Sequence, residues 1–487
     1  MKGSFLLLLS TALPLAAGAA LPAISSLKKP AHLKRYVLVV LSAVFLLSLA
    51  LLFTPERHLT LFCLTDELPL ALSSDAFSRI FALLAAFMFL LSGIYSFEYM
   101  KHEKRHTRFY TFYLLTLGCL IGLGYSSNLV TMYLFFELMT LMSVPLVLHS
   151  GSDFARRGAE KYLFYSITGA CLGLFGIILL YSSGAKLDFV PGGYLGRADG
   201  ALLAGIFLSV LGFGAKAGLF PLEAWLPAAH PVAPAPASAV LSGVITKAGV
   251  LAVFRLLYFV AGPEAIAGTW VQTVLIVFSL ITVILGSTLA YREKLLKRRM
   301  AYSTVSQVSY ILFGLFLLNE TAASGALAHV VFHSVIKDAL FLCVGAVIFE
   351  TGLTRADEMR GIGKRMPVTM WCFTISSLAL VGIPPLSGFV SKWYLAMGSL
   401  ASGIGVLSVW GPAVLLISAL LTAGYLFSVS VNAFFPGRDF DYSTLKKCEP
   451  GREMTVPLII LTALSVVFGL FPAPLLSLVR TALGGIF

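Results

Sequence analysis

Five basic side chains sit inside long apolar stretches of this 487-residue sequence: Lys216, Lys247, Arg255, Lys337 and Lys392. An acid, Glu137, lies midway along NLVTMYLFFELMTLMSVPLV, and His329 and His333 precede Lys337 in GALAHVVFHSVIKDALFLCVG. Lysine, histidine and glutamate share one capability, which is to bind a proton and release it to a neighbour. The spacing of His329, His333 and Lys337 at i, i+4 and i+8 places all three on one face of a helix. Asp338 points about 100° away from Lys337, given 3.6 residues per turn, toward a neighbouring helix, where it modulates a lysine or serves structure alone. Blander readings exist for each group: Glu137 capped by Thr140, the lysines snorkelling to an interface, a histidine satisfied in a core. Arg255 stands nearer a segment end, snorkels on this reading, and receives no role.

The elements that must hold these groups are read from composition. The chain is 58% hydrophobic and 12% charged, where soluble domains carry about 25% charged residues. So much apolar surface finds a matching solvent only in a bilayer. Fourteen spans are expected, near 4–23, 36–53, 79–98, 109–127, 129–149, 162–184, 201–220, 237–260, 270–291, 302–318, 325–350, 368–396 (interrupted), 405–432 and 454–480. The fold class is therefore an all-α polytopic membrane protein. The net charge of +12 is topological. Alternate loops collect most of it: Lys28, Lys29, Lys34 and Arg35; Lys101, Lys104, Arg105 and Arg108; Arg156, Arg157 and Lys161; and the runs near 292–299, 355–365 and 438–452. The positive-inside rule makes that side cytoplasmic and puts both termini outside, and nucleic acid is not an expected partner. Lys2 and the apolar run after it resemble a secretory signal. Cleavage would strand Lys28 to Arg35 on the wrong side, so a retained first helix is expected. The six cysteines form no CxxC pair and no P-loop or GxGxxG motif follows a strand, so no redox centre, metal or nucleotide cofactor is expected in this chain.

Two spans carry helix breakers beside a lysine. Gly218 and Pro221 follow Lys216 in GFGAKAGLFPLEAWLP, and Pro384 and Pro385 precede Lys392 in GIPPLSGFVSKWYL. A helix broken at membrane depth is tolerated where the backbone lines a cavity or is buried in protein, and a matched pair of such breaks is the trace of inverted repeats. The chain accordingly divides into helices 1–3 (1–108), a five-helix repeat (109–260), a second five-helix repeat (270–432), and a loop with a last helix (433–487).

At these stretches, together with KRRMAYSTVSQVSYILFG and LPAAHPVAPAPASAVLSGVITKAG, the sequence resembles the antiporter-like membrane subunits shared by respiratory complex I, Mrp-type sodium/proton antiporters and membrane-bound [NiFe] hydrogenases. The resemblance implies that Glu137 pairs with Lys216, that Lys247 is the next relay lysine, that His329, His333 and Lys337 form the central link, and that Lys392 ends the second half-channel. It also implies a cell inner-membrane location, partner membrane subunits that include related antiporter-like chains, and protons, with sodium as the alternative ion, as cargo. Asp338 departs from the family's pattern, where a small or apolar residue is expected. The competing readings are an autonomous sodium/proton exchanger, a scaffold that has lost transport, and a quinone-reducing enzyme, the last lacking any cofactor motif.

The predicted topology is open to a direct check. A cysteine introduced near position 295 is expected to react with impermeant maleimide in inverted vesicles and not in right-side-out ones.

Overall fold

The computed structural model describes residues 2–65, 68–437, 440–441 and 446–487; Arg438, one of the basic loop residues, lies outside them. The helices are α1 (Lys2–Ala20), α2 (Pro30–Leu52), α3 (Ala76–Tyr99), α4 (His106–Gly124), α5 (Leu129–Val147), α6 (Asp153–Ser182) and α7 (Gly200–Ala217). Then come α8 (Ala235–Ala261), α9 (Trp270–Arg292), α10 (Leu296–Phe316), α11 (Glu320–Thr351), α12 (Pro367–Val381) and α13 (Ser387–Leu400). The chain closes with α14 (Leu407–Phe434), α15 (Arg452–Leu470) and α16 (Ala473–Leu483).

Among the described residues, 11 helices are long and apolar enough to cross a membrane, which makes this a multi-pass membrane protein. α4 and α10 fall short of that apolarity for a physical reason. α10 reads LKRRMAYSTVSQVSYILFGLF and is buried along almost its whole length, so protein and not lipid surrounds its hydroxyls and amide. The last expected span, 454–480, is split into α15 and α16 at Phe471 and Pro472.

The loops sort into two sets. Those carrying the basic clusters bond to one another: Arg108 to the carbonyls of Leu148 and His149, Leu296 N–H to Thr354, Cys448 N–H to Arg365, and Lys34 to Glu453. The remaining loops form the opposite set, as in Ser74 N–H to Arg57, Leu129 N–H to Leu187 and Val190 N–H to Phe259. The all-α expectation needs one correction there. An antiparallel hairpin, β1 (His58–Thr65) and β2 (Leu68–Ser73), lies between α2 and α3. Its inner strand continues into the 125–127 turn, with Ser73 N–H bonding Tyr125 and Ser127 N–H bonding Ala71. Outside the hydrocarbon, extended backbone can find partners that a bilayer denies it.

α8 and α11 are the enclosed centre. Every residue of the apolar window of α8 is buried, and nearly every one in α11; α11 packs on α3, α8, α10, α12, α13, α15 and α16. α8 is irregular, widening into π turns at Leu241–Ile245 and Leu256–Ala261, a local form often found at functional sites. α6 and α7 touch backbone to backbone through Gly169, Gly173 and Gly176 on one side and Gly205, Ser209 and Gly212 on the other. Small residues of this kind let membrane helices approach closely. A Cβ at Gly212 would run into the Gly173 backbone, whereas one at Gly196 meets nothing within 4 Å. Gly212→Val should therefore destabilise the protein by about 1–3 kcal/mol, read as a lower melting temperature, with Gly196→Ala unchanged.

Candidate functional site

α7 stops because Gly218 takes φ +80°, a left-handed conformation that suits glycine, and Pro221 follows. Lys216, in the last turn, is 1% exposed. Its ammonium donates to Tyr162 Oη and Ser166 Oγ of α6, each at 3.0 Å, and lies 4.4 Å from the centroid of the Tyr162 ring. Trp225 backs that ring at 4.7 Å and donates to Ala215 O at 2.8 Å, fastening the segment after the break to the helix before it. Glu137 on α5 lies within electrostatic reach of Lys216 without a direct ion pair, and its buried Oε1 has no hydrogen-bond partner among the described residues.

α8 brings Lys247 to the centre. Gly249 lets the α8 backbone approach Lys216 Cβ, although no hydrogen bond joins the two lysines. The Lys247 ammonium bonds the Ser242 carbonyl at 2.5 Å and His333 Nδ1 at 2.6 Å. From His333 the line follows α11: the His329 ring is 5.7 Å away, and His329 Nδ1 is 2.8 Å from Ser391 Oγ on α13. The next residue, Lys392, sits 5.1 Å from the centroid of Tyr310, whose ring also stacks on His329. Lys247, His329 and His333 are buried, as are Lys337 and Asp338.

The second break mirrors the first in backbone and differs in how its lysine is used. α12 ends at Gly382, φ +92°, followed by Pro384 and Pro385. Lys392 belongs to the half-helix after the break and donates to the carbonyls of Leu380 and Val381 at 2.6 and 2.9 Å. Those carbonyls lost their intrahelical partners when α12 ended, and a cation is favoured at a helix C-terminus.

Lys337 leaves the line. It donates to Met300 O on α10 at 2.8 Å and lies 5.5 Å over Phe341. Asp338 lies between α3, where Ser92 Oγ is 3.4 Å away, and α8, where it abuts Gly243.

Two residues escaped the sequence reading. His230 is fully buried with both ring nitrogens unpartnered among the described residues and stacks on Phe341 at 4.7 Å, the ring that Lys337 also approaches. Its signal is an isolated histidine in LPAAHP, easily taken for loop. Gln307 on α10 is likewise buried with both amide atoms unpartnered. Buried side-chain atoms of Glu137, His230, Gln307, His329, His333 and Asp338 have no hydrogen-bond partner among the described residues. A seam of basic and acidic groups a few ångströms apart can pass protons by side-chain rotation and intervening solvent.

The profile of a family described as "NADH:quinone oxidoreductase/Mrp antiporter, TM" matches residues 126–431, the stretch that carries every group above except Ser92. The chain belongs to this family. A second profile, "NADH-Ubiquinone oxidoreductase (complex I), chain 5 N-terminus", matches residues 65–110. An NADH-quinone oxidoreductase subunit of Desulforudis audaxviator is 35% identical over 420 residues, 81% of this chain and 80% of that one. A Na(+)/H(+) antiporter subunit of Bacillus subtilis is 30% identical, covering 82% of this chain and 80% of its own. Among solved structures, a chain of the archaeal membrane-bound sulfane sulfur reductase superposes with TM-score 0.87 at 25% identity, over 99% of this chain and 97% of that one.

Within this member of the NADH:quinone oxidoreductase/Mrp antiporter family, Arg255 stands apart and corrects the snorkelling expectation. It is 1% exposed, with Nη2 bonded to Asp75 Oδ2 at 2.6 Å and Ser78 Oγ at 2.9 Å, and its guanidinium stacks over Phe259. Asp75 also caps α3 by accepting from Ser78 N–H. Arg255 therefore ties α8 to the start of α3. Arg255→Met should lower the melting temperature, by roughly 2 kcal/mol of stability, while proton flux per assembled complex stays at the wild-type level.

Proposed function

We propose that this chain is the proton-translocating, antiporter-like subunit of a larger membrane complex, and that protons move along Glu137, Lys216, Lys247, His333, His329 and Lys392, with Lys337 as a branch of the central link and Asp338 as a modulator of Lys247. The observation that carries the proposal is the seam itself: two buried lysines, a partly buried third and two histidines, with successive members linked by hydrogen bonds or shared rings from Lys247 to Lys392. A charge at this depth costs at least about 2.5–3.5 kcal/mol, which a purely structural scaffold has no reason to bear several times over. The printed names of the relatives, a quinone oxidoreductase subunit and a sodium/proton antiporter subunit, support the same reading.

In this scheme fourteen spans are formed by α1 to α11, the α12–α13 pair, α14, and the α15–α16 pair, with 109–260 and 270–432 as inverted repeats. The basic loops face the cytoplasm and both termini face outward. Desolvation weakens a lysine's hold on its proton and a nearby carboxylate strengthens it. Approach of Glu137 loads Lys216, and its withdrawal sends the proton on. A membrane potential adds about 2.3 kcal/mol per charge per 100 mV, enough to bias steps so nearly balanced. The oxidation that drives transport belongs, on this reading, to other subunits.

Lys392 supplies the sharpest test. Its role needs a titratable group, so Lys392→Met should lower proton flux by about a hundredfold. Lys392→Arg should fare little better, since arginine stays protonated, and Lys392→Glu should retain part of the flux. Glu137→Gln and Lys216→Ala should abolish most pumping in assembled complex. The assay is proton flux in vesicles, corrected for intact complex; wild-type flux in both the Met and Arg variants would make Lys392 only the cap of α12.

A further inference from the structure

A cavity of about 450 Å³ opens on the basic-loop side between α6, α10 and the segment after the first helix break. Three cations line it, Arg157 and Lys161 from α6 and Arg298 from α10, with Tyr302 beside them. No carboxylate lines it among the described residues. Arg157 and Lys161 are exposed, and among the described residues no hydrogen bond or ion pair engages either. The nearby acids of α6, Asp153 and Glu160, are taken by Arg156 at 3.7 and 3.6 Å, and Arg298 meets Glu293 at 3.6 Å. Arg156, Arg157 and Lys161 outnumber Asp153 and Glu160 by one, so this end of α6 carries a net positive charge, with Arg157 and Lys161 unengaged among the described residues.

The surface that continues from this cavity into the bilayer is apolar. Phe164, Ile167, Leu174, Phe175 and Ile178 are all exposed on α6 and recur at the helical spacing that continues the Arg157–Lys161 face. From Phe164 to Leu174 the helix rises about 15 Å, the depth of one leaflet. A cationic pocket at headgroup level above an apolar stripe one leaflet deep complements a diacyl anion. Arginine suits its phosphate by forming paired N–H···O bonds, and lysine by compact charge.

We propose that this cavity binds the phosphate of an anionic phospholipid, whose acyl chains lie along the exposed face of α6. The back wall is formed by Ala224, Pro227 and Ala228, so the headgroup rests against the segment whose Trp225 packs on Tyr162 beside Lys216. The site is independent of the proton-transfer reading, because its test counts lipid and not flux.

The test uses assembled complex with wild-type chain or R157Q/K161Q/R298Q chain. Each is reconstituted in nanodiscs of phosphatidylcholine with a minor fraction of phosphatidylglycerol, re-extracted in mild detergent, and analysed for bound lipid by mass spectrometry. Wild type should retain phosphatidylglycerol in preference to phosphatidylcholine, and the triple variant should lose about one phosphatidylglycerol per chain. Arg157→Gln alone, at an exposed position, should lose part of that retention and guards against a misfolded triple variant. Equal retention by wild type and both variants overturns the proposal. So does displacement of the bound phosphatidylglycerol by millimolar inorganic phosphate, which would mark a soluble anion as the ligand. Efficient cross-linking of Phe164→Cys to another subunit would equally overturn it, by placing a protein and not lipid on the stripe.

Discussion

A positive charge held inside the helix bundle is the constraint from which the rest of this structure follows. Lys216 and Lys247, fully enclosed, and Lys392, partly so, each need acceptors close at hand. The protein meets that need in three different ways. Lys216 is held by two hydroxyls and an aromatic wall, Lys247 by a carbonyl and an imidazole, and Lys392 by the two carbonyls that end α12. Each arrangement stabilises a charge with neutral dipoles, a looser hold on the proton than a tight carboxylate partner would give. The contrast with Arg255 is instructive. That residue has a direct carboxylate partner at 2.6 Å and a guanidinium that stays protonated, which suits a structural tie.

The helix breaks serve the same need. Ending a helix inside the protein frees carbonyls and N–H groups, normally an expense in a low-dielectric interior. Here freed groups become ligands, as Leu380 and Val381 bind Lys392, while Ala215 O accepts from both Gly218 N–H and Trp225. In α8 the Ser242 carbonyl, within a π turn, accepts from Lys247. Irregular backbone and buried charge thus occur together, as expected where backbone leaves the helical pattern at membrane depth. α8 and α11, ringed by other helices, keep the polar groups away from lipid.

Much of this was legible in the sequence because charge is rare in apolar segments and every instance stands out. Glu137, the lysines, the histidine pair and both glycine–proline breaks could be named from type and spacing. What could not be read were contacts across helices. The i, i+4, i+8 pattern put Lys337 in line with His329 and His333, yet its ammonium turns to Met300 on α10, a choice made by a helix 37 residues away in sequence. His230 and Gln307 carry no formal charge and so gave no contrast against their surroundings. The β1–β2 hairpin was hidden because HLTLFCLT and LPLALS are short apolar runs between two long spans, and the 125–127 turn that β2 bonds lies about 50 residues further on in sequence. Arg255 was misjudged from its distance to a segment end, which says nothing of a carboxylate waiting on α3.

Proton transfer through the midpoint of the seam is the claim most open to direct attack. Lys247→Met is the sharpest probe, since it keeps much of the side-chain volume, removes the ammonium bonded to His333 Nδ1, and leaves Lys216 and Lys392 untouched. Proton flux measured in vesicles, per intact complex, is expected to fall by about a hundredfold while the complex assembles and melts normally. Flux at the wild-type level in that variant would contradict the account, because it would require a proton route that bypasses the centre of the molecule.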